Sequence, residues 1–231
     1  GGRARSPGDG GFGDVSGRGA RGDTAARGPA RHAALGGPAR ELDNPRYALN
    51  SPSRCFFCKE ELWSRLGAIA AARSFDVVID GTNADDLGEH RPGLGAAEGR
   101  GVRSPLADLG WTKADVRAAA LALELPIWAA PASPCLSSRV AYGLPITPER
   151  LRQVEEGEAF LRALGVIGDL RVRHHDARAR VEVEPAQFAR VRGAWPVVEA
   201  RFMALGFTAV ELDPRGYRRG GLLRVLEGAP A

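Results

Sequence analysis

"FDVVIDGTNADD", residues 75–86, is the stretch on which the fold turns. A short apolar run, 75–80, stops at a loop of Gly, Thr, Asn and Asp, which reads as a buried strand followed by a loop. Upstream, "KEELWSRLGAIAAARS" (59–74) sets Leu62, Leu66, Ile69 and Ala70 at helical spacing. Downstream, "TKADVRAAALALE" (112–124) offers Thr112 as an N-cap with Asp115 three residues on. Pro126 stops that helix, and "IWAAPASPCLSSR" (127–139) continues as strand and proline-rich loop. Alternation of this kind predicts a parallel α/β sheet. Open α/β sheets place ligands beyond their strand ends, so Asp80, Asn83, Asp85 and Asp86 suit a magnesium ion or nucleotide hydroxyls. An Asx-rich turn accounts for the same residues equally well.

A second unit begins near Gly143. "TPERLRQVEEGEAFLRALG" (147–165) is capped by Thr147, carries Pro148 at its first position and shows a stripe of Leu151, Val154, Phe160, Leu161 and Leu164. Strands are predicted at 170–175 and 179–184, a helix interrupted at Pro196 over about 186–205, and a closing strand at 207–213. The order α-β-β-α-β predicts a small α+β domain with its helices on one face. The organisation is therefore a low-complexity segment 1–38, a first domain 39–143, a second domain 144–222 and a tail 223–231. Residues 1–40 hold twelve glycines and eight alanines, too little large apolar surface to offset the entropy of ordering.

Net charge tempts one toward nucleic acid, at +4 over 231 residues. Residues 1–40, with seven arginines and three aspartates, account for all of it, and the rest balances at 25 basic against 25 acidic. No basic RNA-binding face is therefore expected. No run of 18 apolar residues is present, so no membrane span is predicted. Three cysteines, an odd number, fit a reducing cytoplasm better than a disulfide framework.

Those cysteines are the chemistry-bearing residues. "RCFFCK" (54–59) puts Cys55 and Cys58 in a C-x-x-C that opens a helix, and "SPCLSSR" (133–139) holds Cys135. A helix-start dithiol, a Cys3His zinc site drawing on His90, His174 or His175, and an iron–sulfur cluster on three thiolates all remain open, as does a chance pair. In the second unit Arg171 and Arg173 alternate along one strand and share a face. Either an anion lies between them or Glu182 and Glu184 oppose them across the adjacent strand. "RGYRRGG" (215–221) adds Arg218 and Arg219. Arg91 and Arg103 lie on loops and say little individually.

Taken together, "NPRYALNSPSRCFFCKEEL", "VVIDGTNADD", "HRPGLGAAEGRGVRSPLADLGWTKADVR", "PASPCLSSRVAYG", "RVRHHDARARVEV" and "ELDPRGYRRG" closely resemble the LarE-type ATP-dependent sulfur transferases of the PP-loop pyrophosphatase superfamily, over residues 39–222. The resemblance implies a Rossmann-like PP-loop sheet followed by the α+β domain. It also implies an enzyme of nickel-pincer cofactor synthesis using ATP and Mg2+. A carboxylate of a pyridinium mononucleotide is adenylated, and sulfur delivered at Cys135 converts it to a thiocarboxylate. Having all of Cys55, Cys58 and Cys135, the chain resembles members thought to hold a [4Fe-4S] cluster that carries sulfide, not those that sacrifice one cysteine. Ser138, Arg139 and Glu158 would line the substrate pocket, Arg171, Arg173 and Arg218 would bind its phosphate, and Asp80 and Asn83 would face the nucleotide. The implied partners are the mononucleotide and a sulfide donor, with self-association left open. One departure stands out: residues 1–38 contain no S-G-G-x-D-S phosphate loop. The expectation is lost or weakened adenylation and a poorly stable first domain. The competing readings are a truncated member that binds ligand or metal without turnover, a PP-loop tRNA thiolation enzyme, and a zinc-stabilised module.

Overall fold

The computed structural model describes residues 41–88, 92–130 and 134–218. The low-complexity segment, the tail, His90, Arg91 and Arg219 lie outside the described residues. The chain divides into two compact units, Gly1–Ser133 and Pro134–Ala231. This division assigns Cys135 and the residues after it to the second unit.

In the first unit the described elements are helices: α1 (Pro45–Ala48), α2 (Arg54–Ala72), α3 (Ala84–Leu87), α4 (Pro92–Glu98), α5 (Pro105–Asp108) and α6 (Lys113–Ala122). Helix α2 starts five residues earlier than the apolar spacing alone predicts, and its first turn carries the C-x-x-C. Thr112 and Asp115 form the reciprocal capping box expected at the start of α6. A small core gathers Trp63, Ala96 and Ala97, with Phe56, Leu62, Leu66, Val78 and Val102 packed against it.

The strand expected at 75–80 is corrected. Only Ile79 pairs, in an isolated parallel bridge to Arg103, held by Asp80 N–H to Arg103 C=O and Arg103 N–H to Val78 C=O, each at 3.0 Å. Phe75 and Val77 are 60% and 52% exposed. The strand expected after Pro126 is likewise a series of turns, with Ile127 and Trp128 exposed. An apolar run becomes a buried strand only where neighbours satisfy both its edges and cover its faces. Here one bridge supplies part of one edge.

The second unit follows the expected α-β-β-α-β order: α7 (Pro148–Ala163), β1 (Leu170–His175), β2 (Arg178–Val183), α8 (Phe188–Gly193), α9 (Trp195–Ala204) and β3 (Ala209–Leu212). The sheet order is β1-β2-β3, with β1 antiparallel and β3 parallel to the central β2. Thr147 caps α7 by accepting the Arg150 N–H, and Pro196 starts α9 after the chain breaks at Ala194. Period-two alternation sends Leu170 and Val172 of β1, and Ala179, Val181 and Val183 of β2, into one core with Leu161, Val198 and Phe202. Gly157 lets α7 approach that sheet, since a methyl there would meet the Phe202 ring at 3.1 Å. The opposite face carries Arg171, Arg173, Arg180, Glu182 and Glu211.

Candidate functional site

Cys135 sits at the N-cap of a 3-10 turn, Leu136–Arg139, at the start of the second unit. Its carbonyl is held from several sides. The Ser138 N–H donates to it at 3.0 Å and the Ser138 hydroxyl at 2.7 Å. The Arg139 guanidinium reaches the same carbonyl at 3.0 Å and that of Pro134 at 2.6 Å. Arg139 is only 3% exposed, and its charge is balanced by Glu158 of α7 through Nε–Oε1 at 2.9 Å and Nη2–Oε2 at 3.2 Å. Glu158 also accepts the Val172 N–H of β1 at 3.1 Å. The next residues close on β1 as well: Val140 bridges His174, and the Ala141 N–H donates to the His174 carbonyl at 3.0 Å. The outer edge of β1 is thus occupied by the Cys135 loop and by one carboxylate.

Arg171 and Arg173 share a face as the alternation requires, and their repulsion is resolved differently for each. Arg173 pairs with Glu182 at 3.0 Å, both nearly buried, and donates to the Ser138 carbonyl. Arg171 is 7% exposed, and among the described residues no carboxylate lies within ion-pair distance of it. Its guanidinium donates to the Leu170 carbonyl and lies over the Tyr217 ring, 5.1 Å from the centroid. Burial first, then the neighbouring Arg139 charge, pushes the Arg171 pKa down. Glu184, the other proposed cross-strand partner, instead accepts the Asp169 N–H at 2.7 Å. Arg218 is half-buried at the end of the described chain.

Sequence reading missed two contributors, Tyr217 and Asp213, and offered His174 only as a candidate zinc ligand. Tyr217 supplies a ring face to Arg171, a pairing that neither strand period nor motif signals. Asp213 anchors the following turn through its own Arg215 at 3.1 Å, where "ELDPRGYRRG" suggested only phosphate-binding arginines. His174 points into the core, 2.8 Å from the Gln153 carboxamide, which in turn donates to the Leu205 carbonyl. Burial first, then the Arg150 charge, pushes His174 down to about 4. His175 is lowered too, by burial and then by Arg180.

In the first unit, Cys55 is exposed and Cys58 half-buried, one turn apart at the start of α2; none of the three cysteines is in a disulfide. Two thiolates at this spacing are a partial ligand set for a metal or cluster. Within either unit, among the described residues, no three His, Cys, Asp or Glu side chains gather as metal ligands. Asp80 is occupied by its own loops, accepting from the Thr82 N–H at 3.0 Å, the Thr82 hydroxyl at 2.9 Å and the Ser104 hydroxyl at 2.8 Å. Asn83 caps α3 through the Asp85 N–H, Asp86 accepts the Asn83 N–H, and Asp85 accepts the Lys113 N–H that opens α6. These acids therefore join three loops. No helix among the described residues is long and apolar enough to cross a membrane.

No family model matches the chain. Over 189 residues it is 46% identical to an uncharacterized protein of Synechocystis, covering 80% of this chain and 70% of that one. Over 171 residues it is 37% identical to the pyridinium-3,5-bisthiocarboxylic acid mononucleotide synthase of Lactiplantibacillus plantarum, covering 74% of this chain and 62% of the synthase. An uncharacterized protein of Methanocaldococcus jannaschii is 36% identical over 169 residues, 66% of its length. The chain thus spans less than two thirds of the synthase.

Proposed function

The chain belongs to the LarE-type family, and from that premise we propose that it transfers sulfur to carboxylates of a pyridinium mononucleotide with ATP as activator. The observation that carries this reading is Arg171. A guanidinium so buried, without a carboxylate at pairing distance among the described residues, is a receptor for an anion. The substrate phosphate is the proposed occupant, held by Arg171 and Arg218, with Arg173 contributing through a charge already shared with Glu182.

In the proposed reaction a substrate carboxylate oxygen attacks the α-phosphorus of ATP and pyrophosphate leaves. A sulfur nucleophile then attacks the acyl carbon, AMP leaves, and the thiocarboxylate remains. The first unit is proposed to be part of a Rossmann-like PP-loop domain, supported by the parallel bridge between Ile79 and Arg103. Asp80 and Asn83 order its nucleotide-facing loop, and Mg2+ accompanies the ATP. Cys55, Cys58 and Cys135 are proposed ligands of a [4Fe-4S] cluster, which would supply an iron open to added sulfide. Support for this comes from the thiol state of all three and the one-turn spacing of the first two. The reaction takes no nucleic acid, and the sulfide donor is a separate partner.

Anaerobically purified chain, given ATP, Mg2+, sulfide and the pyridinium dicarboxylate mononucleotide, is expected to release AMP and pyrophosphate and to add sulfur to the substrate by mass. Iron and acid-labile sulfide should co-purify and fall in Cys55→Ser and Cys58→Ser variants. Zinc in place of iron would sink the cluster assignment. Absence of both AMP and product would sink the transferase reading.

A further inference from the structure

We propose that Arg139 and Glu158 are positioning residues that clamp the backbone around Cys135, and do not bind the substrate. The proposal rests on the reading of Cys135 as the sulfur-handling thiol. A guanidinium has five N–H donors. In Arg139, Nε goes to Glu158 Oε1 and one Nη2 hydrogen goes to Glu158 Oε2. The two Nη1 hydrogens are shared among Pro134 O at 2.6 Å, Cys135 O at 3.0 Å and Ser138 Oγ at 3.1 Å. One hydrogen is left, on a side chain with almost no exposed surface.

Glu158 is equally committed, since both oxygens meet Arg139 and one also takes the Val172 N–H. Its carboxylate therefore ties the Cys135 loop to the edge of β1. Arg171 is buried as well and donates to the Leu170 carbonyl, but it has no carboxylate at ion-pair distance among the described residues, which leaves its charge open to a ligand. The fork geometry matters as well: a lysine keeps the charge but cannot span a carboxylate and two carbonyls at once.

Full-length chain is treated with iodoacetamide between pH 6 and 9, and Cys135 and Cys55 labelling are followed by peptide mass spectrometry. Arg139→Lys and Glu158→Gln are each expected to speed Cys135 alkylation by about tenfold through easier loop opening, with Cys55 unchanged. Val198→Ala, a core truncation away from the loop, serves as the comparison at matched loss of thermal stability. Unchanged Cys135 labelling in both clamp variants, or equal acceleration in Val198→Ala, overturns the proposal. In the sulfur-transfer assay the clamp variants should lower kcat and leave KM for the mononucleotide unaltered. A raised KM at constant kcat would make Arg139 a substrate ligand and also overturn it. If the unmodified chain transfers no sulfur, the functional reading fails, while the labelling still decides the clamp.

Discussion

Replacing Arg171 by methionine should stabilise the ligand-free chain and abolish its response to phosphate. Methionine keeps the aliphatic stem of the side chain and removes a guanidinium that burial and the Arg139 charge penalise and the Glu158 charge only partly offsets. Replacing buried charge by a well-packed hydrophobe ranges from neutral to a gain of roughly 1–4 kcal/mol. Part of that is lost with the Leu170 hydrogen bond and the Tyr217 stacking, each worth about 1 kcal/mol. A net gain of at most about 2 kcal/mol remains, which in a unit of this size raises Tm by roughly 4–8 °C per kcal/mol. The assay is thermal unfolding followed by circular dichroism, with and without orthophosphate. The unmodified chain should gain about 2.7 kcal/mol at a phosphate concentration of ~100 Kd, and Arg171→Met should gain none. A variant that is less stable than the parent, yet equally stabilised by phosphate, would refute the reasoning. Arg171 would then be a structural residue whose stacking outweighs its desolvation.

Acid should weaken the second unit through His174. Its folded pKa of about 4 lies below the ordinary 6.5, so the stability it contributes is complete above pH 6.5 and is lost as pH falls toward 4. Unfolding free energies from urea at pH 7 and pH 5 should differ by about 2 kcal/mol from this group, and His174→Gln should flatten that slope; an unchanged slope would assign the acid sensitivity elsewhere. Gly168→Ala should destabilise by about 2 kcal/mol in urea, because φ there is +72° and a methyl would collide with the Glu184 carboxylate. Thr147→Ala should cost about 1 kcal/mol by removing the cap of α7, and an unchanged urea midpoint would show that water replaces the hydroxyl without loss.

Legibility followed the range of the interactions involved. Thr112 with Asp115, Thr147 with Pro148 and the alternation along 170–183 are local, and each specified its element from a handful of neighbouring residues. The run at 75–80 was misread because an apolar run reports what a strand would bury, not whether a partner is in place to bury it. At the candidate site, the spacing of Arg171 and Arg173 told of a shared face, but their different fates depended on Glu182 and Tyr217, brought there by the hairpin and the turn after β3. The joining of Arg139 to Glu158 spans nineteen positions and passes through an edge of β1, so no pattern in the chain announces it.

The occupied edge of β1 also decides how this sheet can grow. Val172 N–H and His174 C=O point outward and are already taken by Glu158 and Ala141. Strand addition from another polypeptide, whether a swapped copy or an aggregating one, finds no template on that side. Among the described strands the other edge of the sheet is β3, whose four residues, Ala209–Leu212, offer only a short ladder. Loosening the carboxylate at 158 would reopen the longer edge, so the same residue guards the solubility of the sheet.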